Sequence, residues 1–281
     1  MAAAQSTRAE IVSNIAVLTL IGLLIACRSF AQQPQVVGGD EAELAKKLTN
    51  PVSDLVSVPF QMNWEQGVGP DKLTRFVLNV QPVVPFSLNA DWNMIARVIM
   101  PFVGQPPLGG GTQSASGISD VLTSIFFSPS KSVFIWGVGP AISLPSTSEP
   151  TLGSGKWSMG PSVVVLQQTG PWTFGALWNQ VWSLAGDPAR SDVNQMFLQP
   201  FLAYNTKSLW TLTVQSETTA NWEAPDHKWT VPINFIAAKL SSFGPFPASY
   251  QLGIGAFVAH PTIGPDWKLR AALVLLLPRR R

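Results

Sequence analysis

Between Ser208 and Glu223 the chain reads SLWTLTVQSETTANWE, with Trp210, Leu212 and Val214 on every second position and Thr211, Thr213, Gln215 and Glu217 between them. A strict period of two describes an extended strand with one apolar and one polar face. Such a strand fits a water-soluble sheet or a membrane barrel, and the rest of the chain decides between them. From about Ser57 onward the same kind of segment recurs roughly a dozen times, each about 10 to 13 residues long, which suits a tilted strand crossing a bilayer better than an ordinary soluble strand. The segments begin near Val56, Thr74, Asp91, Gly117, Ser132, Trp157, Trp172, Asn194, Ser208, Lys228, Ser249 and Trp267.

Alternation is clear in several of them. Phe76, Leu78 and Val80 oppose Arg75, Asn79 and Gln81; Trp92, Met94, Ala96 and Val98 oppose Asn93 and Arg97; Trp267, Leu269, Ala271, Leu273 and Leu275 oppose Lys268 and Arg270. The connections alternate as well. FVGQPPLGGGTQSAS, LPSTSEPTLGSGK, AGDPARSDV and TTANWEAPDH are long and polar, whereas SPSK, QTGP and NTKS between them are short. Long loops at one end, tight turns at the other and an even strand number are the pattern of outer-membrane barrels. Composition agrees. Charged residues make up 12% of the 281, about half the usual share, while 11 Trp, 15 Phe, 22 Gly and 24 Pro describe an aromatic-rich, turn-rich chain. The expected fold is an all-β, transmembrane, antiparallel up-and-down barrel of about 12 strands, preceded by a short helix. Trp157, Trp172, Trp182, Trp210, Trp222, Trp229 and Trp267 fall near strand ends, where an aromatic girdle would meet the lipid interface.

The N-terminus reads as an address. Arg8 precedes the apolar run Ile15 to Cys27, and Ser29-Phe30-Ala31 follows as a small-x-small cleavage site, so residues 1–31 read as a secretory signal peptide. A mature chain of 281 − 31 = 250 residues would then lack cysteine, because Cys27 leaves with the signal. Leu24-Ile25-Ala26-Cys27 also reads as a lipobox in which Cys27 is acylated and kept. Residues 32–55 read as a linker and a short helix, DEAELAKKLTNP, with Asp40 as cap, Lys46 and Lys47 at the negative end of the dipole and Pro51 as stop. It is either an amphipathic lead-in or a plug within the lumen. Residues 56–281 are the barrel.

The order of motifs also carries a resemblance. NPVSDLVSVPFQMNWEQGVGP, LNVQPVVPFSLNADWNMIARVIMP, FFSPSK, IWGVGPAISLP, GPSVVVLQQTGPWTFGALWNQVWSLAG, NQMFLQPFLAYNTK and KWTVPINF, running from about Asn50 to about Pro278, resemble a family of bacterial outer-membrane barrels. Its members are labelled transporters, or proteins of the MetA-pathway of phenol degradation, or neuromedin U. The resemblance implies an outer-membrane location and passive uptake of small hydrophobic or aromatic molecules, with no catalytic motif. Outer-membrane barrels usually end on an aromatic residue read by the insertion machinery, an expected partner; this chain ends LLLPRRR.

The lumen-lining candidates are the polar residues on the inward phase: Arg75, Asn79, Gln81, Arg97, Asp120, Gln215, Glu217 and Arg270, with Glu65 beside them. Opposed charges in a lumen either set a field along a solute path or pair to fill a narrow barrel. The segment NQMFLQPFLAY has two apolar faces, which fits either a greasy interior or a strand covered by the N-terminal segment. No nucleotide loop, zinc motif or nucleophile elbow is present, and only His227 and His260 could serve as bases, so no cofactor, metal or enzymatic role is expected. A net charge of +2 with no basic stripe gives no nucleic-acid partner; the expected partners are outer-membrane lipid and a small solute. Competing readings are a structural barrel with a filled lumen, a lipid-modifying barrel enzyme and a soluble secreted β protein.

Overall fold

The computed structural model describes residues 38–132 and 134–277. The signal peptide, the Cys27 lipobox, the start of the linker and the basic tail Arg279 to Arg281 lie outside the described residues. Among the described residues one α-helix, α1 (Gly38–Leu48), precedes fifteen strands. They are β1 (Val56–Val68), β2 (Leu73–Val80), β3 (Val83–Ser87), β4 (Trp92–Gln105), β5 (Ala115–Ile118), β6 (Val121–Pro129), β7 (Ile135–Leu144), β8 (Lys156–Thr169), β9 (Trp172–Gly186), β10 (Asn194–Asn205), β11 (Trp210–Ser216), β12 (Thr218–Asn221), β13 (Trp229–Phe243), β14 (Phe246–Ala259) and β15 (Trp267–Leu277). Three pairs, β2 with β3, β5 with β6 and β11 with β12, are single staves with a short interruption, which leaves twelve. Each stave pairs antiparallel with its neighbours, and β15 closes the ring on β1 from Val56↔Leu277 to Gln66↔Trp267. Every stave starts within three residues of its position expected from sequence.

The interruptions have local causes. By the registers on either side, Glu217, between β11 and β12, sits opposite Pro232 of β13, and Ser216 sits opposite Pro200 of β10. Proline has no N–H for the ladder, so pairing lapses there. Pro82 divides β2 from β3 in the same way. Between β5 and β6 the pairing with β4 slips by one residue, from Phe102↔Ile118 to Ile99↔Leu122, which makes Ser119 and Asp120 a bulge. All three breaks carry a polar residue on the inner side.

Connections segregate by end. Residues 88–91, 170–171, 206–209 and 244–245 and the connection between β6 and β7 close the short-turn end, which also holds the start of β1 and the end of β15. Gly170 (φ 55°) and Gly244 (φ 57°) open the two two-residue turns, each followed by proline, in a backbone region that favours glycine. The opposite end carries the longer loops, including 106–114 and 145–155.

The outer surface is apolar. Leu212, Phe235, Leu252, Ile254 and Leu269 are exposed around the girth, as are Trp210 and Val214 of the 208–223 segment. Of the nine charged residues in the strands and their breaks, eight point inward; Lys239 alone faces out, at the short-turn end, donating to the Ser208 carbonyl with its ammonium 5.6 Å from the Trp210 ring centroid. A soluble barrel would reverse this arrangement. All seven tryptophans expected in the girdle are exposed: Trp172 and Trp210 at the short-turn end, Trp157, Trp182, Trp222, Trp229 and Trp267 at the loop end. Trp92 and Trp136, packed edge to face at 5.9 Å, extend the first group.

The helix starts at Gly38, so Asp40 lies inside it and is not its cap; helix ends are weakly fixed by sequence. It stops at Leu48, where Thr49 Oγ1 donates to the Lys46 carbonyl at 2.7 Å. The helix lies within the short-turn mouth and crosses it. On one side Ala45 packs with Leu240, Val274 and Leu276 of β13 and β15; on the other Gln168 donates to the Lys46 carbonyl (2.9 Å) and Thr49 to Thr173 Oγ1 (3.0 Å) on β8 and β9. The sixth and twelfth staves are diametrically opposite. Of the two readings of this segment, the structure shows the plug.

Candidate functional site

The site is the lumen, which carries a belt of paired charges. Glu217, freed from the ladder by the two prolines, reaches a quarter turn around the barrel to β15, where its Oε2 accepts from Lys268 Nζ (2.9 Å) and Arg270 Nη2 (2.5 Å). Arg270 Nε also donates to Asn63 Oδ1 on β1 at 2.8 Å. Lys268 and Arg270 are almost wholly buried. A buried guanidinium and ammonium need such partners, since an unpaired charge in this setting is costly. Gln215 donates to Glu217 (3.3 Å) and accepts from Gln199 (3.2 Å), which continues the belt along the wall.

A second pair is local. Arg75 and Glu65 face each other across β1 and β2, and both Nε and Nη2 of Arg75 lie 2.6 Å from Glu65 Oε2. Arg97 on β4 donates from Nη2 to Gln81 Oε1 at 2.8 Å, and Gln81 bonds in turn to Gln61. Asn79 shares the inward phase with Arg75 and Gln81. Asp120, in the bulge, accepts from the amide and the hydroxyl of Ser154, both at 2.6 Å, and so pins a long loop to the wall; its other oxygen is buried without a partner.

Two cavities meet at Arg97. One, of about 510 Å³, opens toward the loop end and is lined by Asp120, Asn179, Gln195 and Thr219. The other, of about 230 Å³, lies between the belt and the helix and is lined by polar Gln61, Gln81, Gln215 and Arg270 and by apolar Leu48, Phe201, Ile236 and Leu240. Beside them Val52 packs into a cluster with Ile95, Phe126, Val164, Leu166 and Leu177, all inward residues, and Phe197 and Phe201 pack against it. The inner face of β10 thus packs against this cluster through Phe197 and Phe201 and still lines the cavities, Phe201 the smaller and Phe197 the larger.

The structure thus brings Arg75 to Glu65, Gln81 to Arg97, and Gln215 and Arg270 to Glu217, while Asp120 stands apart in the outer cavity. Sequence reasoning passed over Lys268, Asn63 and Gln199. Lys268 shares the phase of Arg270, which was signal enough; Asn63 and Gln199 gain their meaning from partners more than fifteen residues away.

The histidines stand at the loop end. His260 lies 3.6 Å from Asp266, which also pairs with Lys72, and its other ring nitrogen is 2.7 Å from the Pro261 carbonyl. Both nitrogens thus face partners within the 260–266 loop, which the Lys72–Asp266 pair joins to the turn between β1 and β2. His227 sits in the 222–228 loop with φ at 46°.

A twelve-stave closed barrel with charges inside and an apolar belt outside has counterparts among solved structures. An outer membrane channel from Pseudomonas putida F1 aligns with a TM-score of 0.61 and 15% identity, over 79% of this chain and 94% of that one. The fold is one that outer-membrane channels use. The NanC porin aligns with a TM-score of 0.54 and 12% identity, over 79% of this chain and all of the other. At these identities the likeness is one of fold. No family model matches the chain, and no curated protein does.

Proposed function

We propose that the protein is a bacterial outer-membrane channel for passive uptake of small, apolar or aromatic molecules, exported through residues 1–31 and inserted with its termini and short turns toward the periplasm. The observation that carries this reading is the pair of cavities meeting at Arg97, one open to the loop end and one reaching the plug. A barrel built only to be filled would close that line with packed side chains. Diffusion down a gradient needs no cofactor, and the belt would set which solutes pass. The motif resemblance to the phenol-degradation family supports the aromatic class, as do Phe197 and Phe201 on the inner wall.

The test is flux. Proteoliposomes containing the folded protein should take up a labelled single-ring aromatic compound several-fold faster than protein-free vesicles, and a large hydrophilic sugar no faster. Equal uptake with and without protein would remove the transport reading. A second reading, a structural barrel with a filled lumen, is favoured by α1 and the Val52 cluster, and predicts that equality.

A further inference from the structure

Arg97 is held differently from the other lumenal cations. Arg75 has Glu65, Lys268 and Arg270 share Glu217, and Lys156 has Asp192 at 3.2 Å, whereas Arg97 is bonded to the neutral amide of Gln81. Within the belt the four cations Arg75, Arg97, Lys268 and Arg270 stand against the two carboxylates Glu65 and Glu217, an excess of two positive charges. One of the two belongs to the triad around Glu217 and the other to Arg97. Both Arg97 and Arg270 line the 230 Å³ cavity, which Phe201, Ile236 and Leu240 also line; Phe201 and Ile236 flank β11, across the barrel from Arg97.

We propose that this cavity is a binding site for small carboxylic acids with an apolar body, single-ring aromatic acids above all. The shape and the chemistry both select them. An apolar cavity of about 150 Å³ already accommodates benzene, so 230 Å³ holds one ring with a carboxylate attached. A guanidinium bound only to a neutral amide keeps donors for a carboxylate, and the planar fork matches its two oxygens. The ring then lies against Phe201 and Ile236. A neutral aromatic would leave the charge excess uncompensated, and an aromatic amine would add to it. This names the solute class of the channel read above and rests on that reading for its biological use, but the binding itself does not need transport.

The test separates the two. Purified full-length protein in detergent is titrated with benzoate, benzyl alcohol and benzylamine while its thermal unfolding midpoint is followed, because a ligand that binds the folded state raises that midpoint. Benzoate should raise it, and the alcohol and amine should leave it unchanged at equal concentration. Arg97→Gln should weaken the apparent benzoate affinity at least about tenfold, the loss expected for a charged hydrogen-bonding partner, while Arg97→Lys should weaken it less. Equal stabilisation by benzoate and benzyl alcohol, a preference for benzylamine, or unchanged benzoate affinity in Arg97→Gln would overturn the proposal. Should Arg97→Gln fail to fold, the comparison of the three ligands on the natural chain and on Arg97→Lys decides. Benzoate stabilisation of a barrel that passes no solute keeps the site and removes the transport reading.

Discussion

At the scale of single residues, the belt depends on Glu217. Changing it to glutamine leaves Lys268 and Arg270 buried around a neutral amide, and the expected cost is about 3 kcal/mol of barrel stability, read as a lower midpoint in denaturant. The two faces of a strand should respond in opposite ways. Phe235→Arg, outward and near the middle of β13, should cost about 2 to 4 kcal/mol in a bilayer, whereas Thr213→Arg, inward on the neighbouring β11, should leave stability nearly unchanged and alter what passes. Comparing the two variants in the same folding assay checks the assignment of faces. Those faces were readable from the sequence, because a period of two holds through the middle of the strands, bulges such as Ser119-Asp120 fall toward their ends or breaks, and the proline breaks do not slip the phase at Glu217. The partners were not. Nothing local says that Glu217 meets Lys268 and Arg270, 51 and 53 residues away, besides the Gln215 carboxamide next to it, since that depends on how far round the ring a side chain reaches.

Among the elements, α1 and the turn that follows it decide how open the lumen is. The helix was legible as a helix from its acidic start, basic end and proline stop, but its place was not, because an amphipathic segment packs equally well on any complementary apolar wall. The inward residues Leu240, Val274 and Leu276 supply that wall, and Val52 enters a cluster contributed by four separate strands. Val52→Asp would place an unpaired carboxylate in that cluster, at a cost that favours leaving it. The variant should show a larger conductance than the natural chain, with the barrel itself still resistant to unfolding. Unchanged conductance would mean that the segment does not limit the path.

For the whole molecule, the segregation of long loops and short turns predicts an orientation. Loop 106–114 should face the cell exterior and turn 206–209 the periplasm, so Ser114→Cys should react with a membrane-impermeant thiol reagent on intact cells and Lys207→Cys should not. The reverse pattern would invert the barrel. Strand number and closure were expected from the sequence because bilayer thickness, obligatory backbone pairing and alternating loops leave few other solutions. The measurement that bears most directly on the account is single-channel recording of the purified, folded protein in a planar bilayer. The account predicts discrete, small conductance steps that a single-ring aromatic acid reduces from the loop side. A silent membrane containing the folded barrel would contradict it and leave a filled, structural barrel in its place.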